Sequence, residues 1–102
     1  MSLFSKKEAP VSDAKTVSLV FEVSADYDKR LIGKSKPVTI SMDGSHIATL
    51  LPGESIDTKA TEGRHKFKMV CKDGTTYTTT KIQGNTHCLI YEYKDETEFR
   101  WR

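Results

Sequence analysis

Arg64-His65-Lys66-Phe67-Lys68-Met69-Val70-Cys71-Lys72, then Asp73-Gly74, then Thr75-Thr76-Tyr77-Thr78-Thr79-Thr80-Lys81-Ile82, reads as two strands joined by a turn. In the first run His65, Phe67, Met69 and Cys71 alternate with Lys66, Lys68, Val70 and Lys72. Side chains of an extended chain point alternately to opposite faces, so this period of two separates an inward set from a mostly cationic outward set. A helix would scatter the same residues around its axis. Asp73-Gly74 is a hairpin signal. The following run is rich in β-branched threonine, which fits a pleated surface even where little of it is apolar.

The same grammar extends in both directions. The six glycines, Gly33, Gly44, Gly53, Gly63, Gly74 and Gly84, recur every nine to eleven residues, and most stand in turn pairs such as Asp43-Gly44 and Pro52-Gly53. Upstream, Val17, Leu19, Phe21 and Val23 alternate with Ser18, Val20, Glu22 and Ser24, the clearest strand of the chain. Pro37 opens a strand carrying Val38, Ile40 and Met42 on one face, and Ser45 to Leu51 return as its partner. Ser55 to Lys59 form a short polar strand, and Thr86 to Tyr93 a late one with Leu89, Tyr91 and Tyr93 opposite Cys88, Ile90 and Glu92. The tail, with Phe99 and Trp101 two apart, is expected to extend that last strand. The total is about seven strands and no helix, which predicts an all-β, two-layer antiparallel β-sandwich of immunoglobulin- or prealbumin-like outline. Residues 1–15 lack any period and read as a flexible leader, leaving residues 16–102 as a single domain. The longest connection, residues 25–36, is the loop best suited to carry function.

Composition bounds the function. With 102 residues the chain can bury a core without a metal or disulfide framework. Sixteen Lys and Arg are interspersed with fourteen Asp and Glu, and a net charge of +2 is too small to argue for nucleic acid or another polyanion. No apolar run is long enough to cross a bilayer, and no apolar stretch follows the lysines near Met1, so a cytoplasmic protein without a membrane association is expected.

The segment Pro37-Val38-Thr39-Ile40-Ser41-Met42-Asp43-Gly44, followed by Ile47-Ala48-Thr49-Leu50, Pro52-Gly53-Glu54 and Thr61-Glu62-Gly63-Arg64-His65-Lys66-Phe67, resembles the PEGA-like domains, which are small prealbumin-like β-sandwiches. The likeness covers roughly residues 33–82 and turns on the Asp-Gly hairpin and on Gly63-Arg64-His65 before an alternating strand. It implies a non-enzymatic accessory or interaction module with no catalytic residues.

The chemistry-bearing residues point the same way. His46, His65, His87, Cys71 and Cys88 have no metal-ligand spacing, and no nucleophile elbow or phosphate-binding glycine loop is present, so no enzyme, metal or cofactor is expected. Cys71 and Cys88 are read as reduced thiols, with a cross-strand disulfide left open. Lys15, Asn85 and an acid, Glu54 or Glu62, have the order of a strand-to-strand isopeptide cross-link, which needs apolar surroundings to shift their pKa values. Interaction surfaces remain: Lys66, Lys68 and Lys72 facing outward beside Tyr77, and exposed aromatics including Trp101. The expectation is a non-catalytic accessory or protein-interaction module binding on a sheet face, on the loop, or through an edge strand that could also self-associate. The alternative is a carbohydrate- or small-ligand-binding module using aromatic residues near the C-terminus such as Trp101, and a third, less favoured reading is nucleic-acid binding through the lysine-rich strand with Lys66 and Lys68 and through Tyr77.

Overall fold

A computed structural model describes residues 15–28 and 36–102. Eight strands follow one another: β1 (Thr16–Val23), β2 (Val38–Met42), β3 (Ser45–Leu50), β4 (Ser55–Thr61), β5 (Gly63–Cys71), β6 (Gly74–Ile82), β7 (Thr86–Tyr93) and β8 (Glu96–Trp101). They form two four-stranded sheets, ordered β4-β1-β7-β8 and β3-β2-β5-β6. The sandwich and the all-β class are as expected from the sequence. Most of the loop at 25–36 lies outside the described residues, as does nearly all of the leader.

Two details differ from the sequence reading. The tail does not prolong the seventh strand but folds back on it as β8, because Lys94 and Asp95 both take left-handed backbone angles, with φ of 51° and 68°. Successive positive φ values make the tight turn whose twist matches paired strands, and neither residue is the glycine that usually announces it. The second detail is that β1 pairs with β4 antiparallel but with β7 in parallel, Leu19 opposite Thr86 through Val23 opposite Ile90. The first strand therefore sits in the middle of its sheet.

The alternation read from the sequence is the alternation of burial. Val17, Leu19, Phe21 and Val23 from β1, Val38 and Ile40 from β2, Phe67, Met69 and Cys71 from β5, and Cys88 and Ile90 from β7 fill the space between the sheets. Phe67 meets Phe21 edge-on with ring centroids 5.8 Å apart and lies 5.1 Å from the ring of Trp101. Such aromatic contacts add to the transfer free energy of the buried rings.

Asp43 and Gly44, with φ of 51° and 86°, close the β2–β3 hairpin, as their residue types demand. One more element holds an end of the sandwich. Tyr27, 1 % exposed, places its hydroxyl where it accepts the Lys72 N–H at 3.0 Å and meets the Thr97 hydroxyl at 3.0 Å. Beside it the buried Asp28 donates its N–H to Glu92 Oε1 and accepts the Lys36 N–H, each near 3 Å. A loop start is thus tied to both sheets.

Candidate functional site

The outer face of the β3-β2-β5-β6 sheet carries the candidate site. On β5 the exposed residues are Arg64, Lys66, Lys68 and Val70, alternating with buried Phe67, Met69 and Cys71. Across the ladder Lys68 stands opposite Ser41 on one side and Tyr77 on the other, Lys66 opposite Thr79, and Arg64 opposite Lys81. Three of the four sequence-predicted site residues, Lys66, Lys68 and Tyr77, therefore meet on one surface. They line a cleft of about 320 Å³ with Ser41 and Gly44, floored by the β5 chain at Phe67. Tyr77 is 73 % exposed, so its ring stands out from the sheet.

The fourth, Trp101, is elsewhere. Its ring turns inward against Phe21 and Phe67, 6.0 Å and 5.1 Å between centroids, and packs on the core. Lys72 also departs from the expected outward row, because β5 ends at Cys71 and the chain turns there. Its side chain is only 6 % exposed; the ammonium lies 3.6 Å from Glu92 Oε2 and donates to the Asp95 carbonyl at 3.1 Å. Lys72 is a structural cation at the end of the sandwich, and the exposed row consists of Arg64, Lys66 and Lys68, joined by Lys81 from the neighbouring strand.

No acidic residue lies among the strand positions of this outer face, whose remaining members are hydroxyls, His46, Val70 and Tyr77. Among the described residues Arg64, Lys66, Lys68 and Lys81 make no ion pair. Asp43, in the β2–β3 turn, borders this face; it accepts the Lys66 backbone N–H at 3.0 Å and is held by His65 at 2.6 Å.

The Asp43–His65 pair is the one arrangement with an enzyme-like look. His65 Nδ1 donates to the Asp43 carboxylate, and Nε2 lies 2.7 Å from the Thr61 carbonyl and 3.3 Å from the Thr61 hydroxyl. A carbonyl oxygen accepts only, so Nε2 must carry a proton to make that contact, and the ring as placed is an imidazolium with both nitrogens donating. The hydrogen bond to Asp43 raises the His65 pKa, burial opposing it, and the same bond lowers that of Asp43. A protonated, doubly engaged histidine cannot take a proton from Thr61, so the triad-like spacing is a clasp between the β2–β3 turn and the β4–β5 connection.

The other sequence candidates are dispersed. His46 bonds Thr49 and His87 bonds Glu22, and no group of three or more metal-ligating side chains forms among the described residues. Cys71 and Cys88 are free, buried and on different sheets; burial pushes their thiols up to about 11 and about 12. Glu62 is drawn close to both ends of the proposed cross-link, donating its N–H to the Lys15 carbonyl and accepting the Gly84 N–H. Lys15, Glu62 and Asn85 are nevertheless all exposed, so the apolar environment such a reaction requires is not there.

In comparisons with known proteins, no family model, no curated protein and no solved structure matches the chain. No helix among the described residues is long and apolar enough to cross a membrane.

Proposed function

We propose that this chain is a non-catalytic protein-interaction module that presents the outer face of its β3-β2-β5-β6 sheet to an acidic protein partner. The observation that carries the reading is the segregation of four cations, Arg64, Lys66, Lys68 and Lys81, on a face with no strand carboxylate to neutralise them. Ordinary solvating surfaces interleave both signs, and a single-sign field is the arrangement that steers and orients a partner of opposite charge. The exposed Tyr77, opposite Lys68 on the edge strand, supplies the rigid aromatic contact that interfaces favour.

The test is charge reversal on the two faces of the same molecule. Binding of a fluorescein-labelled decaglutamate is measured by anisotropy at low salt for the wild type, for Lys66→Glu with Lys68→Glu, and for Asp57→Lys as the opposite-face control. Loss in the first variant with retention in the control supports the reading. Equal binding by all three removes it.

A second reading has its own observation. The cleft between Ser41, Lys66, Lys68 and Tyr77 has room for a small polar ligand stacked on the tyrosine ring. A ligand of that kind would depend on Tyr77 far more than on salt, so Tyr77→Ala separates the two readings.

A further inference from the structure

We infer that β6 is an acceptor edge: an extended acidic segment of a partner adds to it as a fifth strand, placing its carboxylates beside Lys66 and Lys81. This rests on the proposed interaction reading and specifies the partner's form.

The four sheet edges among the described residues differ in how they are protected. An unpaired row of backbone N–H and C=O groups is a template for further strands, and β-proteins blunt it with bulges, charges, proline or short length. Edge β3 is six residues long, and its pairing with β2 shifts register between Ile40 and Ser41, a bulge. Edge β4 carries Asp57 and Lys59 at its middle. Edge β8 is six residues long and carries Glu96, Glu98 and Arg100. Edge β6 has no bulge, no proline and no short length to blunt it, and its one charge, Lys81, stands next to its end. It is nine residues long, pairs with β5 in unbroken register from Gly74 to Ile82, contains no proline, and from Thr75 to Thr80 contains no charge.

Composition then suits it to receive a strand. Five threonines and a tyrosine in Thr75–Thr80 have the residue types that pair well across strands. Their side chains leave the neighbouring cations accessible. Lys66 stands opposite the short Thr79, so its ammonium can extend over that residue toward the open edge. An added strand would lie about 5 Å beyond β6, within reach of a glutamate pointing back from it. Lys81 lies on β6 itself and is exposed. A second copy of the chain pairing through the same edge would instead set two cationic faces side by side. Charge therefore favours a partner strand bearing carboxylates on its outward face, with β-branched residues alternating between them.

The experiment uses a labelled ten-residue peptide alternating Glu with Val or Thr, together with two versions N-methylated on one or the other alternate set of amides. Strand addition uses only one edge of the peptide. The expected result is that one methylated version loses at least tenfold in affinity while the other binds like the parent, and that amide exchange at Thr75–Lys81 slows in the complex. Equal effects of the two methylations, or binding without protection of β6, overturn strand addition, even where Lys66→Glu still weakens the peptide and the cationic face stands as a docking surface. Failure of both this peptide and decaglutamate to bind removes the face and the edge together. A concentration-dependent dimer whose β6 amides are already protected without peptide assigns the edge to a second copy and also overturns the proposal.

Discussion

The two outer faces of this sandwich are built on the same scaffold and differ in what their charges do. On the β4-β1-β7-β8 face, charges of both signs are engaged within the molecule: Glu22 with His87 at 3.0 Å, Asp57 with the Ser18 hydroxyl at 2.6 Å, Arg100 over the Tyr91 ring at 5.5 Å. On the β3-β2-β5-β6 face the strand charges are of one sign and form no ion pair among the described residues, although Lys66 also feels the Asp43 carboxylate of the β2–β3 turn. Charges that are satisfied at home contribute little to association, whereas unsatisfied charges of one sign have their strongest interactions still to make. The contrast teaches that the small net charge of the chain hides a large asymmetry, because the acidic residues that cancel the total lie elsewhere.

Both faces are lost together if the core that presents them is removed. Phe67→Ala deletes a ring packed between Phe21 and Trp101, and a loss of about 3–5 kcal/mol in urea unfolding is expected. Next in size is Tyr27→Phe, which takes the acceptor from the Lys72 N–H and the partner from Thr97. Leaving those groups unsatisfied is expected to cost about 1–3 kcal/mol without altering either face.

The clasp at one end of the cationic face gives a smaller and pH-dependent effect. The folded pKa of His65 is raised, so its contribution is complete below the ordinary histidine value and is lost as pH rises through the folded one; that of Asp43 is lowered, so its contribution is lost as pH falls through the acid range. Stability from the pair is therefore greatest between the two ordinary values. A melting temperature higher at pH 5.5 than at pH 8.5 is expected, by a few degrees if the bond contributes about 1 kcal/mol, and Asp43→Asn should flatten that slope. The thiols do not confuse the measurement, since both titrate well above this window. Smallest of all is Lys68→Glu, expected to change stability by less than about 0.5 kcal/mol while shortening retention on a cation-exchange column. A large destabilisation there would mean that the row is structural and would sharpen the contrast in the opposite direction.

Much of this was legible in the sequence, for a definable reason. Period-two alternation in Val17–Val23 and His65–Cys71 is a local pattern, and burial follows it residue by residue. The convergence of Lys66, Lys68 and Tyr77 follows from the same alternation plus one hairpin register. What escaped depends on contacts between distant parts of the chain. Lys72 continues the outward spacing of its neighbours, and only the turn after Cys71 carries it to Glu92 and Asp95. Trp101 looked like an exposed aromatic until β8 folded back and turned it onto Phe67. Tyr27 and Asp28 sit in a charged, loop-like stretch, and nothing local reveals that β7, β8 and the β5–β6 turn enclose them; the place of the charged Glu92 on the same face as Cys88 and Ile90 was the available hint.

The parallel seam between β1 and β7 also bears on how the chain is made. Strand β1 is synthesised before both of its lateral neighbours, and one of them follows more than sixty residues further along the chain. Until β7 has been made, the backbone edge of β1 that it covers has no ladder partner in this fold. Slow acquisition of structure is the kinetic signature of such remote pairings, and an edge left open during that interval is exposed to wrong pairings.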